Sequence, residues 1–482
     1  MIEKATPYSY MGSEQDLIEY APVLGIMKKK FPSYIKHAEE AQRFSRKFAR
    51  EEVAPRALEV DRKCSEDPNY VDWDFFRKAL EEHLPTAFIP EKLGGRGWSA
   101  LDMFVFTEEG CAACFGLLAV IAFSMFGFSC ATVEYEPAVV LKFIKHMVSE
   151  EKEGRPVFFA WAITEPSGGT DAEHPAAMRT MRPSMEARKV EGGYVLNGIK
   201  CFITNGNLAH FVVVNAPLDR SRPLETDTTF MLPATSPGFS VGKVEVKCGQ
   251  KACPTAELLF DDVFVPAENL WSQEGKGMQH TQEILSVTRG GVGTATIGLA
   301  RGVVERTVKY ASERKVRGHR LIDEGWVQFA LADLMVDIIN LRHAWVDFAL
   351  AMDFYHAMKL MRNPVADIAL RITPKSVLMS DKLEELAGSG LVSSMVGGMK
   401  KKLVTEEIIE NCIRHGSALK AAGADLAMRA TSSCCDVVGL EGMKRQYGIE
   451  KCFRDAKVTQ IFEGTNQLNR LDVFEREVGY EF

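Results

Sequence analysis

The stretch Trp161-Ala-Ile-Thr-Glu-Pro-Ser-Gly-Gly-Thr-Asp171 leaves an apolar run and enters a glycine-containing loop. Residues 157–163 are apolar and aromatic, which favours a buried strand. The loop that follows frees backbone N–H groups and lets a ligand approach the main chain closely. It is not a Walker A loop, because no Gly-Lys-Ser/Thr follows, and it lacks the Gly-x-Gly-x-x-Gly of a Rossmann unit. Taken alone, the stretch is an ordinary loop after a strand. Whether it binds a ligand has to be judged from the rest of the sequence.

The region after this loop is rich in turn signals and short apolar runs. The dipeptides Gly192-Gly193, Asn197-Gly198 and Asn205-Gly206 readily take positive φ, as tight hairpin turns require. The strand candidates between and after them are residues 194–196, 199–204, 210–215, 228–232, 258–260 and 263–265. The pattern predicts a middle β domain over residues 156–270.

The sequence pattern on both sides of this β-rich region is helical. Before it, residues 39–52, 73–82 and 101–128 are helix candidates, which predicts an N-terminal α-helical domain over residues 1–155. After it, the apolar positions from Ala300 to Ala311 lie on one helical face, and helical patterns continue over 325–354 and 405–435. We therefore predict an α+β, mainly α fold. It consists of the N-terminal helical domain, a small middle β unit and a C-terminal α-helical domain over residues 271–482.

Bulk composition narrows the classes of function. The chain has 482 residues, 46% hydrophobic content and a net charge of -7, enough for two or three domains but a poor basis for nucleic-acid binding. We expect no signal peptide and no membrane span. The eleven cysteines are scattered, and Cys111 and Cys114 lie in an apolar helical stretch without a second pair at zinc spacing. These features predict no metal site and a cytoplasmic location.

Six blocks occur in order along most of the chain from Phe158 onward. They are Thr164-Glu-Pro-x-x-Gly-Thr-Asp171, Asn197-Gly-x-Lys-x-Phe-Ile-Thr-Asn-Gly206, Phe260-Asp-Asp-Val-x-Val-Pro-Ala-Glu-Asn269, Glu313-Arg-Lys315, Leu331-Ala-Asp333, and Arg454-Asp-Ala-Lys457 continuing to Glu463-Gly-Thr465. In order and spacing they resemble the acyl-CoA dehydrogenase family of FAD-dependent flavoenzymes. The resemblance implies the same three-part order that the sequence patterns predict independently. It further implies a middle β-barrel or sandwich and a C-terminal four-helix bundle over residues 271–482, with an insertion around 354–421.

The resemblance also implies roles for individual residues. Around the flavin ring and phosphates it implies cofactor contacts from Trp161, Ile163, Thr164, Gly169, Thr170, Phe202, Ile203, Thr204, Thr465 and Gln467, with Arg314 reaching the FAD of a neighbouring subunit. It implies substrate contacts from Thr170, Arg289 and Gly464. For Phe202, Arg289 and Arg314 the sequence alone favours a core aromatic or a solvated helix face instead.

Glu463 is the residue that the resemblance implies as the catalytic base. The α-proton of a thioester is only weakly acidic, and a carboxylate can remove it if the thioester oxygen is held by hydrogen bonds. The β-hydrogen then leaves as hydride to flavin N5, because FAD supplies the redox chemistry. Apolar Ile461 and Phe462 precede Glu463, and an apolar pocket would raise its pKa toward neutrality.

Two parts of the chain depart from the family pattern. The usual Gly-Gly-x-Gly element is Gly439-Leu-Glu-Gly442, Asp436 stands where Gln is common, and Gly325 replaces a Gln before the Leu-Ala-Asp segment. These positions usually serve the adenine half of FAD. The stretch between 354 and 421 is longer than the family needs, and it could cap the site or build a subunit contact.

The implied function is dehydrogenation of an acyl-CoA to the 2-enoyl-CoA in fatty acid or carboxylic acid degradation. The implied partners are an electron-transferring flavoprotein and further copies of the chain, as a homotetramer or a dimer. Alternatives remain open: an enoyl-CoA reductase, an acyl-CoA oxidase, a flavin monooxygenase on the same fold, and a non-catalytic protein that binds CoA esters. Residues 122–126, Ala-Phe-Ser-Met-Phe, lie in the region that the resemblance implies for the acyl chain; they lack Arg, which argues against a dicarboxylic acyl group.

Overall fold

The computed structural model describes residues 15–134, 136–356, 359 and 372–479. Helices lie at both ends of the chain and the main strands lie between them, which confirms the predicted order of helical, β and helical regions. The first residues of the chain, and part of the predicted insertion including Asn363 and Pro364, lie outside the described residues.

In the described part of the chain, six α-helices of more than one turn precede the β region. They are α1 (Pro22–Lys30), α2 (Pro32–Phe48), α3 (Ala57–Glu66), α4 (Trp73–Glu81), α5 (Ala100–Glu134) and α6 (Pro137–Lys152). Helix α5 is broken at Cys114, whose φ of -159° and ψ of 109° are not helical. Part of it, Ala100–Ser129, is long and apolar enough to cross a membrane by length and composition, but 72% of its most apolar window is buried inside the protein. Packing against other helices accounts for that apolar composition.

The middle region contains two sheets that enclose a common apolar core. The strands are β1 (Phe159–Ala162), β2 (Glu186–Val190), β3 (Gly193–Thr204), β4 (Phe211–Pro217), β5 (Asp227–Pro233), β6 (Phe239–Val244) and β7 (Thr255–Pro266), with two single-turn helices α7 (Pro175–Met178) and α8 (Pro223–Thr226). One sheet has the order β1-β4-β5 and the other β2-β3-β7-β6. Alternate side chains of both sheets, such as Ala162, Leu196, Val212 and Leu258, fill the space between them.

One predicted turn is wrong. Asn197-Gly198 does not end a strand but lies inside β3, at a register shift against β7. Gly198 takes a φ of +132°, and the Asn197 side chain donates a hydrogen bond to Asp262 across the pair at 2.9 Å. Positive φ is a requirement shared by tight turns and β-bulges, so the dipeptide alone could not separate them. Gly192, with a φ of +78°, does turn the chain between β2 and β3.

The C-terminal region is built on three long helices. Its helices are α9 (Gly277–Glu313), α10 (Gly325–Phe354), α11 (Lys375–Leu378), α12 (Asp381–Ala387), α13 (Gly390–Leu403), α14 (Glu406–Gly442), α15 (Ile449–Thr459) and α16 (Asn466–Val478), with the small hairpin β8 (Lys315–Val316) and β9 (His319–Arg320) after α9. Helix α9 packs along both α14 and the N-terminal α5, so it is the common neighbour of the two helical regions. The described part of the insertion lies against α6, where Lys145 pairs with Asp381 and Glu384.

A buried network of charges joins α5, α9 and α10. Glu108 of α5 accepts hydrogen bonds from Arg342 at 2.6 Å and from Trp345 at 2.8 Å. The adjacent Glu109 accepts one from Arg301 at 2.7 Å. All four charged groups are almost fully buried. Such charges are tolerated inside a protein only when each has its partner, so the network fixes how the three helices face one another.

Removing one cation of this network should destabilise the fold strongly. Arg342→Met leaves the Glu108 carboxylate buried with much less compensation, which we expect to cost roughly 3–5 kcal/mol. The measurement is the midpoint of thermal or denaturant unfolding of the purified protein. Arg62→Met is the control, because Arg62 forms exposed ion pairs with Glu59 and Glu66 that contribute little in water. Equal shifts of the midpoint for both variants would contradict a special role of the network.

Candidate active site

Glu463 lies in the short connection between α15 and α16. It takes a φ of +56°, and the next residue, Gly464, takes +71°, so two successive residues adopt the left-handed conformation. This conformation is uncommon for a residue with a side chain and has to be held by the surrounding structure. The connection is closed by the Asn466 N–H donating to the Gln460 carbonyl at 3.0 Å. Thr465 then caps α16 by accepting a hydrogen bond from the Leu468 N–H. The Glu463 side chain is thereby turned toward α9.

The Glu463 carboxyl is half-buried and has one direct polar partner on α9. The Thr288 hydroxyl donates a hydrogen bond to it. Burial raises the pKa of Glu463, while the Thr288 hydroxyl and the charges of Arg289 and Lys420 lower it by a smaller amount. A carboxylate with a raised pKa is a stronger base than an exposed one, and this is the property that proton abstraction at a weak carbon acid requires.

Two buried cations support the connection that carries Glu463. Lys420 of α14 donates to the Gly464 carbonyl at 2.6 Å and to the Asn466 side chain at 3.1 Å. Burial lowers the pKa of Lys420 to about 7. Arg289 of α9 donates to Asp472 of α16 at 2.5 Å and to Ser417 of α14 at 2.8 Å. The two cations therefore tie α9, α14 and α16 together around the base.

Arg289 differs from the role that the sequence implied. Its side chain has no accessible surface, and its guanidinium is engaged with Asp472 and Ser417 inside the helical bundle. A residue without accessible surface cannot bind a substrate directly, so its contribution is to position the helices behind the base. Gly464, also implied as a substrate contact, lies directly beside Glu463, where its backbone is within reach of a molecule held by the base.

Aromatic side chains of α5 lie beside the base. The ring of Phe462, the residue before Glu463, has its centroid 5.5 Å from that of Phe123 and 6.3 Å from that of Phe115. Phe126 continues the group at 5.0 Å from Phe123. These rings form an aromatic wall against Phe462, the residue before the base. Two of them, Phe123 and Phe126, belong to the segment 122–126 that the sequence analysis singled out.

The residues implied for the flavin ring come from β1 and β3. Trp161 and Thr164 are half-buried at the end of β1, and the Cys201 N–H donates to the Thr164 carbonyl at 2.9 Å, which holds this exit against β3. Phe202 is 60% exposed, with a φ of +56°, in a stretch where β3 shifts register against β7. An exposed aromatic ring on an irregular strand fits a planar aromatic cofactor better than solvent.

Two of these residues face the protein interior. The side chain of Ile203 is 2% exposed and belongs to the core between the sheets, so only its backbone could contact a cofactor. Ile163 is 7% exposed and packs with Trp161, Ala172 and Met181. Thr204 is half-buried at the end of β3.

The glycine-containing loop is held by a buried ion pair. Glu165 and Lys200 meet at 2.9 Å, and each side chain is only 2% exposed. Beyond them, a Cβ on Gly169 would approach Thr164 to 3.1 Å, which explains the need for glycine at this point. The loop then forms a 3-10 turn, Thr170–Glu173, that packs against α9. The structure thus brings the loop with Gly169 and Thr170 toward the helix that carries Thr288.

Three implied cofactor residues lie at other places. Thr465 and Gln467 begin α16 directly after the base. Arg314 follows the last residue of α9 and is exposed. At 1.5 Å per helical residue, Arg314 lies roughly 35–40 Å from Arg289 along the axis of α9. It is therefore far from the Glu463 site of its own chain.

Sequence reasoning missed four residues that surround the base. These are Thr288, Lys420, Glu173 and Asn469, whose side-chain amide donates to the Glu463 and Gly464 carbonyls. Thr288 and Glu173 lie more than 100 positions before Glu463, Lys420 lies 43 positions before it on α14, and Asn469 lies on the next helix. Lys and Glu are by type surface residues. Only the position of Thr288 beside Arg289 gave any signal.

Comparison with known proteins agrees with this geometry. Residues 36–135 match the N-terminal domain of acyl-CoA dehydrogenases, residues 160–263 the middle domain, and residues 275–388 and 400–477 the C-terminal domain. Together these matches cover most of the chain.

Similar proteins come from several bacteria. A cyclohex-1-ene-1-carbonyl-CoA dehydrogenase of Syntrophus aciditrophicus is 28% identical over 88% of this chain and 86% of its own length. An acryloyl-CoA reductase (NADH) of Anaerotignum propionicum is 27% identical over 94% and 97%. The structure of butyryl-CoA dehydrogenase from Megasphaera elsdenii superposes with a TM-score of 0.71 at 25% identity, covering 92% of this chain and 98% of that one. The chain thus belongs to the acyl-CoA dehydrogenase family, whose members are FAD-dependent oxidoreductases.

Proposed function

We propose that this enzyme converts an acyl-CoA thioester into the 2-enoyl-CoA, with Glu463 as the base. The observation that carries the proposal is the Glu463 carboxyl itself. It is half-buried, has a raised pKa, is held by the Thr288 hydroxyl, and lies beside an aromatic wall from α5. This arrangement suits removal of a proton from the α-carbon of an apolar acyl group.

The residues of the chain have separate tasks in this reaction. Glu463 removes the α-proton, while Lys420 and Arg289 keep the connection and its helices in place. Phe462 and the α5 aromatics exclude water from the carboxylate, which keeps it a strong base. FAD, when bound against the faces of Trp161 and Phe202, supplies the acceptor for the β-hydride.

The reverse reaction, reduction of a 2-enoyl-CoA, is the second candidate. The same residues serve both directions, since the protonated Glu463 would then deliver a proton to the α-carbon. The similarity to an acryloyl-CoA reductase supports this alternative. Turnover of saturated esters with an artificial acceptor or an oxidised flavoprotein partner is compared with turnover of enoyl esters with an electron donor. The comparison decides between the two directions.

The acyl group that the wall favours is apolar. Phe115, Phe123 and Phe126 line the side of α5 that faces Phe462, and segment 122–126 contains no cationic side chain. A second carboxylate on the acyl chain would be left without a partner there. We infer that unbranched short or cyclic apolar acyl groups are preferred over dicarboxylic ones, and a panel of CoA esters tested for flavin bleaching ranks them.

An apolar face of α10 supports assembly of several copies. Trp326, Phe329, Val336 and Ile339 lie on one side of this helix and are 46–75% exposed. A contiguous apolar face of this kind marks an interface. The distant, exposed Arg314 fits the same proposal, because it could reach a cofactor only in a neighbouring copy. We propose a dimer or tetramer that delivers its electrons to an electron-transferring flavoprotein.

Glu463→Gln should abolish turnover while leaving the flavin bound. The amide has the shape of the carboxyl but cannot accept the α-proton, so we expect kcat to fall by about 100-fold or more. Flavin absorbance of the purified protein and the rate of flavin bleaching by substrate are the two measurements. Glu477→Gln, a change to an exposed glutamate on α16, should leave both unaltered. Near-normal bleaching in Glu463→Gln would exclude this base.

Thr288→Val should move the pH profile of the reaction. The Thr288 hydroxyl lowers the pKa of Glu463, so its removal raises that pKa further. Because the ionised carboxylate is the active form, the acidic limb of kcat/KM should then shift to higher pH. Thr294→Val is the matched control, since the Thr294 hydroxyl donates only to the Gly290 carbonyl of the same helix. An unmoved limb in Thr288→Val would show that the two side chains do not interact in solution.

The double change Trp326→Glu and Phe329→Glu should separate the copies. Two carboxylates in an apolar interface lose their hydration without gaining partners. Sedimentation velocity should then report a smaller mass than for the unchanged protein. Val246→Glu, at a 77% exposed valine of the β domain, should leave the mass unchanged. The interface assignment fails if the double variant keeps its mass.

A further inference from the structure

A second buried carboxylate, Glu173, lies behind the base. It ends the 3-10 turn that follows the glycine-containing loop, and its backbone carbonyl accepts a hydrogen bond from Gln282 of α9 at 2.8 Å. The next residue, His174, meets Glu475 of α16 at 3.0 Å. The backbone on both sides is thus anchored to two helices, and the Glu173 side chain is directed between them.

The Glu173 carboxylate lies directly against the connection that carries Glu463. A Cβ on Gly464 would be 3.1 Å from its Oε2 atom. On the other side of the same peptide, Lys420 donates to the Gly464 carbonyl. The left-handed Gly464 is therefore clamped between an acid and a base, and no larger residue would fit at this position.

Glu173 also faces a cation without completing a hydrogen bond to it. Its Oε2 is 3.7 Å from Nη2 of Arg289. Within the described part of the chain, neither of these two buried atoms has a hydrogen-bond partner. Buried polar atoms without partners are costly, so the Glu173 carboxylate depends on the charge of Arg289 and on the adjacent backbone of Gly464.

The carboxylates of this cluster share their cations. The groups that face Glu173 are Arg289 from α9, Lys420 from α14, and Glu463 from the connection. Asp472 of α16 already occupies Nη1 of Arg289 and also pairs with Arg476 at 3.0 Å. Burial together with the charge of Glu463 raises the pKa of Glu173 to about 7, although Arg289 and Lys420 oppose this.

We propose that Glu173 is a positioning residue for the proposed reaction: it holds Gly464 and shares Arg289 and Lys420 with Glu463, and so sets the proton affinity of the base. This inference rests on the proposed role of Glu463. While Glu173 is ionised, its negative charge opposes the ionisation of Glu463 and makes Glu463 a stronger base. When Glu173 is protonated at lower pH, the two cations act on Glu463 alone and weaken it as a base.

Glu173→Gln tests this charge coupling in the FAD-loaded enzyme. Glu173 gains its charge only near pH 7, so its loss should remove the part of the acidic limb of kcat/KM that lies near neutral pH and leave the part set by Glu463 at lower pH. Because Glu463 is then a weaker base, kcat should fall roughly tenfold while KM changes little. Glu173→Asp keeps the charge and should restore the limb. The exposed Glu477→Gln removes the same charge from α16 and should move neither quantity.

Several results would overturn the proposal. One is a Glu173→Gln enzyme whose limb and kcat both match those of the unchanged enzyme; another is a Glu173→Asp enzyme whose limb remains as shifted as that of the Gln variant. If the Gln variant does not fold, the Asp variant decides alone: it should keep the limb, because the charge remains, and lower kcat, because the carboxylate moves away from Gly464.

An infrared titration of the unchanged holoenzyme separates this inference from the proposed function. A buried protonated carboxyl should lose its proton near neutral pH. This signal should move to lower pH in Glu463→Gln, which removes the neighbouring charge, and vanish in Glu173→Gln. If the enzyme turns over no acyl-CoA but shows this signal, the proposed function fails and the pairing of Glu173 stands. If the enzyme is active but the signal is absent, the inference about Glu173 fails alone.

Discussion

The charge network between Glu108, Glu109, Arg301 and Arg342 is the constraint on which the helical regions depend. Apolar packing tolerates small slides of one helix along another, because the contact energy changes little with register. Buried ion pairs do not, since a slide leaves charges without partners in a medium that solvates them poorly. The register of α9 against α5 therefore places Thr288 opposite the connection after α15, and places Phe123 beside Phe462. The acid–base group and its apolar wall are consequences of that register.

The base itself is held by a second, smaller set of restraints. Two successive left-handed residues at Glu463 and Gly464 give the chain a sharp turn. The side chains of Lys420 and Asn469 donate hydrogen bonds to the backbone carbonyls that this turn exposes. Cations placed there serve two purposes. They stabilise an unusual backbone, and they moderate the pKa of a carboxyl that burial alone would raise further.

Periodicity and motif order were sufficient to predict the three-part fold, because 3.6-residue and alternating patterns record which faces are buried. The bounds of α4 and α10 follow the predicted segments closely for this reason. Asn197-Gly198 was wrongly predicted as a hairpin turn, because the dipeptide indicates a positive φ but does not distinguish a turn from a bulge within a strand. Glu463 was identified by resemblance to a family. Its partners Thr288, Lys420 and Glu173 were not, because a Lys or Glu is exposed in most proteins and pairing across the chain leaves no local pattern. Arg289 was placed in the right neighbourhood with the wrong task.

The contact between Thr288 and Glu463 joins residues 175 positions apart. Contacts of such high sequence separation form late, because the entropy of closing the chain has to be overcome before they are made. The loop with Gly169 and Thr170 is local to the β region and can form much earlier. A nascent or partly unfolded chain could therefore present the cofactor face before it holds any base. Reduction of a bound flavin would then require the completed fold, so a misfolded copy of this chain would be silent and not a source of uncontrolled redox chemistry.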